Sequence, residues 1–110
     1  MLDFNELEAT ATRNDDSIEI EVNDGLLHYR TSINLIEAQQ LLEQVDRIVK
    51  HLDRNTEIEL SSNRRIELWD DGYDRYGLRL AYPPSKLTCR ITSGNLIRFA
   101  DHLEVELEAD

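Results

Sequence analysis

The sequence predicts an α+β domain in which an antiparallel meander sheet of about six strands is covered on one face by a central helix and a C-terminal helix. Three observations carry this expectation. Apolar residues alternate with polar ones in two separated regions, the signature of half-buried strands. Between those regions one stretch repeats its apolar residues at helical spacing. The breaks inside the strand regions are short and rich in Ser, Asn, Asp, Gly and Pro, which suits hairpins between sequence neighbours. A sheet whose strands each keep one polar face is covered on one side only, and the two helices supply that cover.

The elements follow in order. Residues 1–16 carry Leu2, Phe4 and Leu7 ahead of a polar stretch from Thr10 to Asp16, and are expected to form an N-terminal arm and linker, leaving residues 17–110 as a single domain. Ile18, Ile20 and Val22 alternate with Glu19 and Glu21 as a first strand. Asp24-Gly25 then separates it from a second run, Leu26 to Thr31, as a hairpin whose turn needs positive φ. Ala38, Leu41, Leu42, Val45, Ile48, Val49 and Leu52 form one apolar stripe, so a helix is expected over residues 34–53. Asn34 with Glu37 reads as its capping box.

Four further strands are expected between residues 56 and 92, with inward phases Ile58/Leu60, Ile66/Leu68, Leu78/Leu80/Tyr82 and Leu87/Cys89/Ile91. Their turns are Ser61-Ser62-Asn63, the stretch from Asp70 to Asp74, and Pro83-Pro84-Ser85. Ser93-Gly94-Asn95 opens a final helix running to about His102, beyond which Leu103 to Glu108 suit either helix or edge strand.

Composition narrows the function classes. At 110 residues there is room for one core and not for a separate cofactor domain. The formal charge of −11 disfavours direct nucleic-acid binding and attraction to an anionic membrane. The absence of a long apolar run argues against membrane insertion, and a single cysteine, Cys89, has no internal disulfide partner; a cytoplasmic protein is the expectation. The acids are unevenly placed. Residues 1–63 hold 14 acids and 5 bases, residues 64–98 hold 4 and 7, and residues 99–110 hold 5 acids and no base.

No catalytic, cofactor or metal signature is present. His28, His51 and His102 have no metal-ligand spacing, and Cys89 falls on an inward phase as a buried, inert thiol. The acids of Asp70 to Asp74 fail the calcium-loop pattern, since Arg75 stands where its glycine and Ala81 where its bidentate Glu belong. No cofactor is therefore expected.

The candidate site is a partner-binding patch of Trp69, Tyr73, Tyr76, Arg75 and Arg79. If Ile66 and Leu68 face the core, Trp69 falls on the polar side of its strand, unless the strand bulges there and the indole wraps over the sheet edge. Tyr73 and Tyr76 follow on a loop, and the two arginines complete an aromatic and guanidinium surface of the kind that dominates protein interfaces. Arg79 and Arg90 share the uncovered face with Glu57, Glu59 and Glu67, where cross-strand ion pairing is the competing explanation for the charges.

These features favour a non-catalytic protein-binding module: an assembly factor, dedicated chaperone or adaptor that holds a partner peptide. The partner is then another protein or a peptide segment of one, with a homodimer as a further arrangement. An acidic inhibitor or immunity protein that covers a basic nuclease or nucleic-acid-binding site is the alternative, using the acids of the helix and of Glu104, Glu106, Glu108 and Asp110. A small enzyme using carboxylate acid-base chemistry at Asp70, Asp71 and Asp74 is the third.

Overall fold

A computed structural model describes residues 7–23, 25, 28–82 and 85–108. The class is α+β with two helices, as the alternation and the helical stripe require, but the strands form two antiparallel sheets and not one meander. Sheet A has the order β1(Glu8–Asn14), β2(Ser17–Asn23), β3(His28–Asn34), and sheet B the order β4(Asn55–Leu60), β5(Arg64–Gly72), β6(Arg75–Tyr82), β7(Ser85–Thr92). Helix α1(Leu35–Val49) separates the sheets in sequence, and α2(Ser93–Glu108) follows β7. Period-two alternation states which face of a strand is buried and is silent on its lateral neighbours. A 15-residue helix between β3 and β4 releases them from the short turn that joins hairpin partners.

Strand β1 occupies much of the span expected to be arm and linker. Its inward residues are Ala9 and Ala11, both buried, and each lies opposite a large apolar residue of β2: Ala9 opposite Val22 and Ala11 opposite Ile20. Small inward residues make a faint periodicity, and that hid the strand. Leu2 and Phe4 of the expected arm lie outside the described residues, as do Asp24 of the expected β2–β3 turn, Leu26 at the start of its second run, and Pro83-Pro84. Gly25 has φ +92, the conformation expected of that turn's glycine, and its N–H donates to Asn23 Oδ1 at 2.7 Å.

Helix α1 begins as its sequence dictates. Asn34 is the N-cap: Glu37 N–H donates to Asn34 Oδ1 (2.7 Å) and Asn34 N–H to Glu37 Oε1 (2.9 Å). Glu37 is itself buried, and its other oxygen accepts from Ser61 N–H (2.6 Å), so one carboxylate joins the helix start to the β4–β5 turn. The helix ends at Val49, short of the expected residue 53, because His51 turns into the left-handed region (φ +61) and the next residue, Leu52, leaves the stripe to stand 60% exposed. Just beyond, the Arg47 guanidinium bonds Asp53, and that hydrogen bond together with its charge holds the Asp53 carboxyl below the ordinary carboxylate range.

Both helices pack on the apolar faces of both sheets, α1 mainly against β4, α2 mainly against β1. One core results, joining Ile18, Ile20 and Ile33 of sheet A to Ile66, Leu68 and Ile91 of sheet B through Leu41 and Val45 of α1 and Leu96 and Leu103 of α2. Helix α2 continues to Glu108, which resolves Leu103 to Glu108 as helix. It lies along β1, where Asn95 Nδ2 donates to the Leu7 carbonyl (3.0 Å) and Arg13 Nη1 to the Glu106 carbonyl (3.0 Å). Arg64 ties the sheets a second time, its Nη1 donating to Thr31 Oγ1 (2.5 Å) and to the Ser32 carbonyl (2.6 Å) on β3. Neither helix is long and apolar enough to cross a membrane, among the described residues.

Candidate functional site

The outer face of sheet B, turned away from the helices, carries the candidate site. Strand register sets three rows across it: Asn55, Trp69, Gly77, Arg90; Glu57, Glu67, Arg79, Thr88; and Glu59, Arg65, Ala81, Lys86. The middle row places Glu57 directly opposite Glu67, a destabilising juxtaposition taken alone. Arg65 answers it by reaching Glu57 (3.4 Å) and Glu67 (3.6 Å), and Arg79 contacts Glu67 at 3.1 Å. Arg90 pairs with Asp71 at 2.9 Å. The cross-strand pairing expected of this face is therefore present, and each such solvent-facing pair contributes about 0–1 kcal/mol.

Trp69 stays on this face. The strand does bulge, but between Asp70 and Gly72, after the indole has left the backbone. The ring lies over Gly77 of the neighbouring strand, where a side chain would collide with it. The Arg79 guanidinium sits 5.4 Å from the ring centroid, a cation–π contact. Beside the indole is an open depression of about 460 Å³ lined by Asn55, Thr56, Glu57, Glu67, Leu68, Trp69 and Arg79.

The five residues singled out in the sequence part company here. Trp69 and Arg79 are together. Tyr73 stands at the β5–β6 turn, 99% exposed, where it and Asp74 both have positive φ (+54 and +60). That is the backbone of a two-residue hairpin loop of the I′ type, so the stretch from Asp70 to Asp74 is a hairpin end with its first three residues still in β5. Arg75 is exposed at the start of β6. Tyr76 is not on the surface at all: it is 4% exposed, on the inward phase beside Ile91. Tyr76 is already within β6 and shares the inward phase of Leu78 and Leu80, so its closeness to the loop in sequence does not bring it to the surface. Burial pushes the Tyr76 phenol above its ordinary pKa, and the charges of Asp70 and Asp74 push the same way.

Gly77 escaped the sequence reading although a signal was available. A glycine in the interior of an alternating run marks a close approach by another group, here the indole. Asn55 and Glu57 as neighbours of Trp69 had no local signal, because they reach it through strand register, whereas Glu67 shares its face by alternation along β5. Cys89, expected to be a buried, inert thiol, is half-buried on β7 and its thiol lies 3.6 Å from the Leu78 carbonyl. Among the described residues no group of three His, Cys, Asp or Glu side chains is placed to hold a metal ion. The chain matches no protein family, no curated protein and no solved structure in the comparisons made with each.

Proposed function

We propose that the protein is a non-catalytic protein-binding module, an adaptor, assembly factor or dedicated chaperone, that holds an extended segment of a partner on the outer face of sheet B. The observation that supports this reading is the Trp69 indole, seated on Gly77 and stacked by Arg79 on a face that neither helix covers. Tryptophan and arginine dominate interface energetics because they bury large, rigid area. An indole already held in place has less side-chain entropy to lose when a partner arrives. The adjoining depression, with Glu57, Glu67 and Arg79 on its walls, offers both signs of charge to a peptide's polar groups.

Paired capture tests the reading. Wild-type and Trp69→Ala proteins are immobilised at equal density, and bound proteins are quantified by mass spectrometry. A partner enriched on wild type and reduced by about 2 kcal/mol or more in affinity for Trp69→Ala supports the module. Equal recovery on both baits removes Trp69 from the site.

The acidic-inhibitor reading draws on α2, which brings Asp101, Glu104 and Glu108 to exposed positions. Under that reading affinity for a basic partner falls steeply with added salt, whereas a Trp69-centred contact responds little.

A further inference from the structure

Resting on the reading that the protein holds an extended partner segment, we propose that a further stretch of that partner adds to the edge of β7, left open among the described residues, as an antiparallel strand, with acidic residues four apart facing outward and apolar residues between them facing inward.

The two sheets have four edge strands, β1, β3, β4 and β7. Three are obstructed. Helix α2 lies along β1 and bonds to it near both ends. On β3, Arg64 occupies the Ser32 carbonyl. Strand β4 is short, packs beside α1, and has its Thr56 hydroxyl donating to Gln44 Oε1 of that helix at 2.5 Å. Strand β7 spans 8 residues and packs little against either helix. An unobstructed edge of that length offers a row of backbone donors and acceptors to another chain.

Side chains specify what that chain should carry. Two of the apolar rows of sheet B thin out at this edge, while Ile91 closes the third: Ile66 and Leu80 are buried but Leu87 beside them is only partly so, and Leu68 and Leu78 are buried but Cys89 only partly. A strand laid against β7 with apolar inward residues would complete those rows. The outward phase of β7 is Lys86, Thr88 and Arg90, all exposed, on a chain whose net charge is −11. Arg90 reaches back to Asp71, while among the described residues Lys86 enters no ion pair. Opposite charges directly across an antiparallel pair are favourable and like charges are not. That pairing favours acids facing Lys86 and Arg90. It disfavours a second copy of β7 centred on Thr88, which would set Lys86 against Arg90 of the other copy.

The test uses the end-blocked synthetic heptapeptide Thr-Glu-Val-Thr-Ile-Glu-Thr as probe and its Lys-for-Glu counterpart as control, titrated into the isotope-labelled full chain at up to roughly millimolar concentration. The expected result is slowed exchange of the β7 amides that point away from β6, with the Glu peptide binding more tightly than the Lys peptide. Lys86→Glu should weaken the Glu peptide about two- to fivefold and strengthen the Lys peptide by a similar factor. Absence of β7 protection overturns the proposal, as does protection centred on β3 or β4, unchanged affinity in Lys86→Glu, or self-association that protects β7 without peptide. The two readings fail separately. A Trp69-dependent partner captured equally by wild type and Lys86→Glu, with no β7 protection, sinks the edge site and leaves the module standing. Protection of β7 by the Glu peptide with no Trp69-dependent partner supports the edge site and sinks the Trp69-centred reading.

Discussion

Trp69 and Gly77 are direct cross-strand neighbours, and the indole fills the space that any side chain at position 77 would need, since a Cβ there would overlap Cε2, Cζ2 and Nε1 of the ring. One residue's lack of a side chain thus sets the other's position. Gly77→Ala should lift the indole from the sheet, seen as a red shift of tryptophan emission, and should lower stability by about 1–3 kcal/mol in chemical denaturation. An unshifted emission spectrum with unchanged stability would mean that the ring does not rest on Gly77.

The helix stripe separates into a buried part and an exposed end. Val45 is 0% exposed and Leu52 60%. Val45→Ala should cost about 1–3 kcal/mol through lost transfer energy and the cavity left behind. Leu52→Ala should stay within about 0.5 kcal/mol, as surface changes do. Urea denaturation of the two variants compares them directly, and equal losses would contradict the helix end at Val49.

Glu37 links α1 to the β4–β5 turn, accepting from Asn34 N–H with one oxygen and from Ser61 N–H with the other. Glu37→Gln keeps the shape but turns one acceptor into a donor facing an N–H. A loss of about 1–3 kcal/mol is expected, the penalty for a buried polar group without its partner. Hydrogen exchange should quicken at Ser61 and at the first turn of α1 together. A change confined to the helix would show that the turn does not depend on this carboxylate.

Tyr76 gives the fold a dependence on alkaline pH. Its phenol is pushed up first by burial and then by Asp70 and Asp74, so the folded state favours the protonated form more than the unfolded chain does. The associated stability is fully present below the unfolded tyrosine pKa of about 10 and is lost as pH rises through the higher folded value. Phenolate absorbance should show one tyrosine titrating above the ordinary range, and Tyr76→Phe should abolish that component. Its persistence in Tyr76→Phe would assign it to another tyrosine.

By itself the sequence determined which residues of most elements face the core, where the central helix begins, and that residues 56–92 are four hairpin-linked strands. These are consequences of short-range chemistry: a period of two or 3.6, an Asn34–Glu37 cap, turn residues at the breaks. It also grouped Trp69 with Arg79, but left open whether the indole stays on the polar side of β5 or wraps over the sheet edge. Tertiary structure decided the rest. It alone divided the strands into two sheets, because a strand leaving a helix can pair with whichever edge the core brings near it. It made a strand of Ala9 and Ala11, whose small side chains contribute little periodicity but fit opposite Val22 and Ile20. The inward turn of Tyr76, by contrast, follows from the alternation it shares with Leu78 and Leu80, a local pattern overridden in the expectation by its closeness to the turn. Among the described residues the tertiary structure also left β7 as the edge that neither helix nor Arg64 covers, a property set by where α1, α2 and Arg64 come to rest, since no local pattern records what lies beside a strand.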